Sequence, residues 1–367
     1  MRILFITNIP SPYRVDFFNE LGKQCELTVC YERQSAGDRD VRWQSNDAIY
    51  YTAHFTKAKS FGYDKTIGFD LIKEIKRNSF DYLIITGYSS PSVMLAIIYC
   101  RLHHIPYILE SDGGFYKSEQ GLKFLLKKVL LCAAQVHLTT CEEHIAYLEK
   151  ELKIPRVKIY KYSFTSLKND DIAKEPSTNE EKLKLREELG ITEQKVVLSV
   201  GQFIYRKGFD VLLNAAKQLS EDLGVYIIGS IPTAELINQK ERLGLSNVHF
   251  MDFKQKEELK KWYRAADLFV LPTREDIWGL VINEAMAQGL PVITTNKCIA
   301  GLELVDDSNG KIVEVGCADE IAKSIYSILS DFDLMESMSK KSLEVIKKYT
   351  VENMAMEHVS ICQNFQK

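Results

Sequence analysis

The sequence predicts an α/β protein made of two doubly wound, Rossmann-like domains, each built on a parallel sheet. Three observations support this fold class. Short β-rich runs alternate with helical patterns, which favours parallel strands joined by crossover helices. The alternation stops at a polar stretch and then starts again. At 367 residues the chain is also too long for one ordinary core. We therefore expect two domains that face each other across a cleft.

The first domain is predicted to span residues 1–168. Its first elements are the strand "RILFIT", the helix "VDFFNELGKQ" and the strand "CELTVCYE". Further along, "DYLIIT", "PYILES" and "VHLTT" are strand-like, and the helical patterns are "SVMLAIIYCRLHH", "GLKFLLKKVLLCAAQ" and "CEEHIAYLEKEL". Because strands and helices alternate, the sheet should be parallel, with its ligand edge at the carboxyl ends of the strands.

A polar stretch with few apolar residues covers 169–193 and predicts an inter-domain linker. The second domain is predicted to span 194–345. It begins with the strand "KVVLSVG" and the helix "GFDVLLNAAKQL", and it continues through the strands "VYIIGS", "NVHFMDF", "LFVLPT", "LPVITT" and "GKIVEV". Residues 346–367 are helical in pattern.

Composition and charge narrow the class of protein. Hydrophobic residues make up 46% and charged residues 26%, as in soluble globular proteins, and the net charge of −3 disfavours nucleic acid as a partner. The eight cysteines contain no CxxC pair and no Cys/His cluster at zinc spacing, which indicates reduced core residues. The first apolar run is too short for a signal peptide, and none reaches the roughly 18 residues of a spanning helix. We expect a cytoplasmic protein.

The loop "GQFIYRKGFD" follows the first strand of the second domain and suits a diphosphate. Gly201 and Gly208 permit tight turns, and Arg206 and Lys207 place two cations where the next helix begins. A plain strand-to-helix loop with solvated basic residues is the alternative. The position at the carboxyl end of a strand favours binding.

A second loop, within "REDIWGLVINEAMAQGLPVITT", follows the strand "LFVLPT". Gly279 lets the chain turn into a helix whose first N–H groups can bind phosphate oxygens. Glu284, about one turn inside, can accept two hydrogen bonds from a ribose diol, and Asp276 can orient a polar ligand. In the alternative, Asp276 caps the helix, Glu284 lies on the surface and Trp278 is a core residue. Apolar neighbours make an unpaired Glu284 costly, which favours a functional role.

Three loops of the first domain are candidates for the wall of a second substrate site. "ESDGGF" carries Glu110 and Asp112, which could bind a sugar hydroxyl or orient a nucleophile, or could simply form a turn. Tyr13 and Arg14 follow the first strand, in a loop without GxGxxG, so dinucleotide binding of the usual kind is disfavoured. Tyr88 lies in the small polar loop "GYSSPS".

The predicted helix "GLKFLLKKVLLCAAQ" is basic and amphipathic. Lys123, Lys127 and Lys128, with Lys117 before them, accompany Phe124 and several leucines. Such a helix either packs on its sheet, which is the more common case, or makes peripheral contact with an anionic membrane at the inner face.

Together these motifs resemble the retaining, nucleotide-sugar-dependent glycosyltransferases of family 4, which have the GT-B architecture. The resemblance covers nearly the whole chain. It is strongest from Val200 to Val313, in "VGQFIYRKGFDVLLNAA", "NVHFMDFKQKEELKKWYRAADLFVLPT", "EDIWGLVINEAMAQGLPVIT" and "NGKIV".

The resemblance implies a donor site in the second domain. The family has two glutamates separated by seven residues, with an aromatic-Gly step after the first; here these positions are Asp276, Trp278-Gly279 and Glu284. Glu284 would bind the donor ribose. The implied donor-binding residues are Gly201, Gln202, Arg206, Lys207, Glu275, Asp276, Ile277, Trp278, Gly279, Leu280 and Glu284.

This sequence departs from the family pattern at three positions. Asp276 replaces the first glutamate, with Glu275 beside it. Gln202 stands where the family has Arg, and Arg206 is the candidate to supply that charge. The histidine of the first domain is absent, with Asp112 as its substitute. The implied catalytic residues are Asp112, Arg206, Lys207 and Asp276, and the acceptor-side residues are Tyr13, Arg14, Tyr88 and Glu110.

The resemblance implies transfer of a sugar from a nucleotide diphosphate sugar to a glycan or lipid-linked acceptor, without a metal or other cofactor. It also implies that the helix 346–367 crosses back to the first domain. Two alternatives stay open: a nucleotide-sugar epimerase or hydrolase on the same scaffold, and a nucleotide-sugar-binding protein without turnover.

Overall fold

The computed structural model describes residues 1–34, 47–61 and 65–364. The chain forms two compact units. Unit 1 comprises Met1–Ser166 and Tyr349–Lys367, and unit 2 comprises Leu167–Lys348. The chain thus leaves unit 1, completes unit 2 and returns.

Unit 1 is built around a parallel sheet. Its described strands are β1 (Arg2–Thr7), β2 (Glu26–Tyr31), β3 (Thr52–Phe55), β4 (Lys59–Phe61), β5 (Lys65–Ile67), β6 (Tyr82–Thr86), β7 (Ile108–Glu110), β8 (Val136–Thr139) and β9 (Ile159–Lys161). The sheet order is β3-β2-β1-β6-β7-β8-β9, and β4 and β5 form a separate antiparallel pair. The order reverses between β1 and β6, because β1 pairs with both β2 and β6.

Helices cover this sheet. They are α1 (Pro12–Gly22), α2 (Asp70–Arg77), α3 (Pro91–Leu102), α4 (Leu122–Leu131), α5 (Glu142–Lys150) and, after unit 2, α14 (Val351–Asn364). The helix α14 packs on α1 within unit 1. His358 of α14 is buried between the rings of Phe17 and Tyr162, with both centroid distances 4.8 Å.

Unit 2 has a second parallel sheet. Its strands are β10 (Lys195–Val200), β11 (Leu223–Ile228), β12 (Val248–Met251), β13 (Leu268–Leu271), β14 (Val292–Thr295) and β15 (Gly310–Val313). The order is β12-β11-β10-β13-β14-β15. This is the strand order of the doubly wound nucleotide-binding fold, which reverses between its first and fourth strands. Loops that follow β10 and β13 therefore meet at the switch point.

The helices of unit 2 lie on both faces of the sheet. They are α6 (Asn179–Leu189), α7 (Phe209–Ala216), α8 (Ala234–Leu243), α9 (Lys256–Ala265), α10 (Leu280–Ala287), α11 (Ile299–Leu304), α12 (Ala318–Leu329) and α13 (Phe332–Ile346). Side chains of α7 and α12 join those of β10, β11 and β13 in one buried apolar cluster.

The segment 169–193, expected from its polarity to be a linker, belongs to unit 2 and contains the helix α6. Two of its charged side chains have a structural role. Lys182 and Arg186 are buried, and both bind the carboxylate of buried Asp267, at 2.9 Å and 2.7 Å. A buried carboxylate requires such partners, so these two cations of the segment face the interior, while Lys184, Glu187 and Glu188 on the same helix are exposed.

Among the described residues, every helix is too short or too polar to cross a membrane.

Candidate active site

Two loops of unit 2 meet at the switch point between β10 and β13. After β10 the chain makes a single 3₁₀ turn, Tyr205–Lys207, and reaches Gly208 with φ of 71°. A Cβ at Gly208 would collide with the carbonyl oxygen of Pro272, which follows β13. Hydrogen bonds join the loops further: the Arg274 amide donates to the Arg206 carbonyl at 2.7 Å. Glycine is therefore required here for close approach of the two backbones.

Two cations from the first loop share a carboxylate from the second. The Lys207 ammonium lies 2.5 Å from Oδ2 of Asp276, and both side chains are buried. The Arg206 guanidinium lies 3.4 Å from Oδ1 of Asp276 and donates to the Glu275 carbonyl at 2.8 Å. Arg206 is half exposed, and its charge therefore faces solvent beside a buried ion pair.

The backbone fixes Asp276 on both sides. Its amide donates to the Lys297 carbonyl at 2.8 Å, and its carbonyl accepts from the Ile299 amide at 3.1 Å. The carboxylate is consequently held in one place by the chain as well as by Lys207. Glu275 and Ile277, on either side, are exposed.

Trp278 is buried, in agreement with the alternative that it is a core residue. Its indole N–H donates to Oδ1 of buried Asn283 at 2.8 Å, which joins the loop to the helix α10. Gly279 then begins the helix with φ of 102°. A Cβ there would lie 2.8 Å from Sγ of Cys298, so the tight entry needs glycine. Burial raises the pKa of the Cys298 thiol to about 12, which keeps it protonated.

Glu284 lies about one turn inside α10 and is half-buried. Tyr263 of α9 donates its hydroxyl to Oε2 of Glu284 at 3.0 Å. Burial, and then the charge of Glu284, raise the pKa of Tyr263 well above its ordinary value, so the hydroxyl stays a donor. Tyr263 thus orients the carboxylate. The sequence motifs do not single out this tyrosine, since it lies in an ordinary amphipathic helix.

The remaining candidates of unit 2 also lie in these loops or beside them. Gly201 directly follows β10, Gln202 is exposed, and Leu280 is the first residue of α10. No sequence motif identifies Arg274. Its guanidinium binds both carboxylate oxygens of Asp210, at 2.7 Å and 2.6 Å, and lies 4.0 Å from the centre of the Tyr205 ring. This pair fixes the loop that carries the two cations.

In unit 1 the candidates Arg14, Glu110 and Asp112 form one cluster. Nη1 of Arg14 lies 2.6 Å from Glu110 and Nη2 lies 2.7 Å from Asp112. The side chains of Arg14 and Glu110 are 2% and 0% exposed, whereas that of Asp112 is 45% exposed. The sequence places all three beside a second substrate. In the structure, Arg14 and Glu110 are interior groups and Asp112 alone presents its carboxylate to solvent.

Tyr162 completes this cluster, and no motif identifies it. Its hydroxyl donates to Oε1 of Glu110 at 2.8 Å. Burial opposes ionisation of Glu110, but Arg14 holds the pKa of this carboxyl below its ordinary value. Tyr13 packs edge-on against Phe164, with ring centroids 5.6 Å apart.

Tyr88 is half-buried in the loop after β6, and the Lys127 ammonium lies 5.7 Å from its ring centre. Elsewhere in unit 1, Cys30, His54 and Glu74 bring potential metal-ligand atoms within 4.8 Å of one another. Nδ1 of His54 already pairs with Glu74 at 3.0 Å.

Residues 181–345, which contain both loops of unit 2, match the family model described as "Glycosyl transferases group 1". An uncharacterized glycosyltransferase from Haemophilus influenzae is 27% identical over 295 residues, covering 78% of this chain and 77% of that protein. The lipopolysaccharide core biosynthesis glycosyltransferase LpsE of Rhizobium meliloti is 30% identical over 155 residues, covering 41% of this chain and 44% of LpsE. The chain spans about half the length of several other curated relatives.

Solved structures give the fold. A glycosyltransferase from Rickettsia africae matches with a TM-score of 0.79 and 17% identity, covering 100% of this chain and 98% of that one. HepE of Anabaena, solved in complex with UDP, matches with a TM-score of 0.77 and 16% identity, covering 99% and 100%. The predicted fold class, two Rossmann-like domains of the GT-B architecture, is confirmed, and the chain is similar to group 1 glycosyltransferases.

Proposed function

We propose that this chain is a retaining glycosyltransferase, of the hexosyltransferase type, which moves a sugar from a nucleotide diphosphate sugar to a glycan or lipid-linked acceptor. The process would be the synthesis of a cell-surface polysaccharide, in the cytoplasm. The observation that carries the proposal is the switch point of unit 2. There Arg206 and Lys207 lie against Asp276, in the loop that leads into α10, and Glu284 lies about one turn inside that helix. LpsE and the UDP complex of HepE support a sugar nucleotide and a surface glycan.

Each group of this site has a role in the proposal. The diphosphate binds the Arg206 and Lys207 cations and the first amides of α10, which carry partial positive charge. Glu284 accepts hydrogen bonds from the ribose hydroxyls, and Tyr263 fixes its orientation. These groups bind the leaving diphosphate directly, so the proposed reaction needs no metal.

In the proposed reaction the bond between the anomeric carbon and the β-phosphate oxygen breaks, and a bond from that carbon to an acceptor oxygen forms on the same face. The acceptor proton passes to the departing phosphate. Cations that bind the phosphate more strongly as its charge grows lower the barrier. Asp112, half exposed in unit 1, is proposed to bind an acceptor hydroxyl.

The affinity for nucleoside diphosphates tests the proposed donor site. We expect a panel of nucleoside diphosphates in a thermal-shift assay to identify one that stabilises the protein, with its affinity then measured by calorimetry. Lys207→Ala and Glu284→Ala should each weaken that affinity by about tenfold or more, since hydrogen bonds to charged groups contribute about 1.5–3 kcal/mol. Lys217→Ala and Glu241→Gln change exposed residues of the same unit and serve as matched controls. Equal affinities for site and control variants would refute the assignment.

Turnover is tested separately. Release of nucleoside diphosphate that depends on added acceptor supports transfer, whereas acceptor-independent release would indicate a hydrolase. Tight binding with no product under any acceptor would indicate a binding protein. Transfer unchanged by EDTA is expected, and its loss on chelation would contradict the metal-free reaction.

A further inference from the structure

The helix α4 of unit 1 has apolar residues on two faces. One face contributes Leu130 and Leu131 to the core. The other carries four large aliphatic residues that recur with the i, i+3, i+4, i+7 period of one helical stripe. All four are exposed, the first of them by 84%: Leu122, Leu125, Leu126 and Val129. Packing on the sheet thus explains only the inner face of this helix.

The neighbouring helix α3 extends the exposed stripe into a patch. Ile98 and Leu102 lie one turn apart near its end, and Leu102 is 71% exposed. Arg101 donates to the Val129 carbonyl at 3.3 Å, which joins the two helices at this point. We call these six aliphatic residues the α3–α4 patch. Contiguous apolar surface of this kind is uncommon on a protein without a binding partner.

Basic residues surround the α3–α4 patch. Arg101 and Lys123 are exposed, and Lys128 lies with Arg101 in a groove beside the patch. Residues 115–135 contain four lysines and one acidic residue, Glu119, for a net charge of +3. Glu119 pairs with Lys127 at 3.0 Å, so the segment keeps an excess of positive charge, and Lys123 is exposed beside the patch.

We propose that the α3–α4 patch docks on an anionic lipid bilayer. Leucines would enter the boundary between head groups and acyl chains while the lysines contact anionic head groups, as in interfacial amphipathic helices. Two features favour lipid over protein. Protein interfaces are depleted in lysine and enriched in aromatic residues, whereas this patch combines aliphatic residues with lysine. A second copy of the same face would bring like charges together.

The inference depends on the patch alone and not on the proposed glycosyl transfer. If both hold, the enzyme works on the surface that carries a lipid-linked acceptor. Loss of membrane binding and loss of donor binding are measured by different assays, so either can fail without the other.

Sedimentation with lipid vesicles tests the proposal. The full-length chain is mixed with vesicles of pure phosphatidylcholine, or with vesicles in which about a third of the lipid is phosphatidylglycerol. We expect at least tenfold stronger partitioning onto the anionic vesicles, weakened by salt because exposed charges are screened. Equal partitioning onto both vesicles would overturn the proposal.

Variants localise the binding. Leu122→Ser/Leu126→Ser and, separately, Lys123→Glu/Lys128→Glu should each reduce partitioning at least tenfold. The controls Leu183→Ser and Lys323→Glu alter exposed helical residues of unit 2, where Leu183 is 65% exposed. Equal loss in patch and control variants would refute the assignment.

Light scattering distinguishes a second copy as the occupant. A dimer that the leucine variant abolishes, together with no vesicle binding by the parent chain, would assign the patch to self-association and overturn the proposal. All substituted residues are at least partly exposed, and circular dichroism verifies that each variant is folded.

Discussion

Replacing Arg14 by Met should expose the energetic cost of the buried carboxylate of Glu110. Methionine fills much of the arginine stem volume but provides no charge. Glu110 then keeps only neutral donors, the hydroxyls of Tyr162 at 2.8 Å and Thr86 at 3.4 Å. Asp112, being half exposed, can turn to solvent. The penalty therefore comes mainly from Glu110, which is fully buried.

The size of this stability penalty follows from the free energy needed to protonate Glu110. The ordinary pKa of a glutamate is 4.5, and each pH unit above it costs about 1.4 kcal/mol to keep the carboxyl neutral. At pH 7 a neutral Glu110 costs about 3 kcal/mol, which agrees with the 3–5 kcal/mol found when one partner of a buried pair is removed. At pH 5 the same cost is below about 1 kcal/mol.

The sign of the pH dependence is a sharp test. In the parent chain Arg14 lowers the folded-state pKa of Glu110, so this stability is present above the ordinary value and is lost as pH falls through the folded value. In the variant the folded-state pKa is raised, and Glu110 takes up a proton on folding. The stability gap between parent and variant should therefore narrow by about 3 kcal/mol from pH 7 to pH 5.

Native-state hydrogen exchange measures the gap locally. Amides of Ile108–Glu110 report on unit 1, and those of Lys195–Val200 in unit 2 are the internal reference. The double variant Arg14→Met/Glu110→Gln should show a gap that does not change with pH. A gap under about 1 kcal/mol at pH 7, or one that stays constant in the single variant, would contradict the reasoning.

Three further changes have expected outcomes. Asp267→Asn removes the carboxylate charge that pairs with the two buried cations Lys182 and Arg186. Urea unfolding of unit 2 should show a free energy of unfolding lower by about 3–5 kcal/mol, and a loss under about 1 kcal/mol would contradict this. Gly279→Ala should destabilise unit 2 and weaken donor binding, and Cys298→Ala in the same chain should recover only the steric part, since positive φ remains; full recovery would exclude backbone strain. Burial lowers the pKa of His137 and of His144 to about 4. Stability should thus be complete above pH 6.5 and fall as pH drops through that value, by about 2 kcal/mol for each by pH 5. In urea unfolding, His137→Asn should flatten this dependence, and an unchanged slope would reject it.

The sequence predicts where the candidate site of unit 2 lies because its signals are local. Glycines and charges follow β10 and β13, and parallel strands present their carboxyl ends at one sheet edge. Glu284 is detectable for the same reason, as a carboxylate among apolar helix neighbours. The sequence does not predict which side chain pairs with Glu284. Tyr263 lies in another helix, and its bond to Glu284 depends on how α9 and α10 pack.

The sequence does not predict the buried ion pairs, because the two residues of each pair lie far apart in the chain. Arg14 and Glu110 are separated by 96 residues, and Lys182 and Asp267 by 85. In a linear reading each is a polar residue that belongs on the surface, so the sequence alone does not show that Arg14, Lys182 and Arg186 are buried. These groups can be buried only because each is paired in the tertiary structure, since an unpaired charge in the interior is strongly destabilising.

The state of Lys207 bears on how a donor would enter the proposed site. Its ammonium is already neutralised by Asp276 at 2.5 Å, and Arg206 lies 3.4 Å from the same carboxylate. An incoming diphosphate therefore exchanges one anionic partner of Lys207 for another, or shares it, and the net attraction rests first on the exposed Arg206. Where Lys207 turns to the phosphate, the carboxylate of Asp276 loses its closest cation and keeps Arg206 at 3.4 Å. A carboxylate whose pairing changes when the donor binds is suited to contact the transferred sugar, whereas Glu275 is exposed without a donor. Between these two acids, the geometry favours Asp276 for a role that depends on the donor.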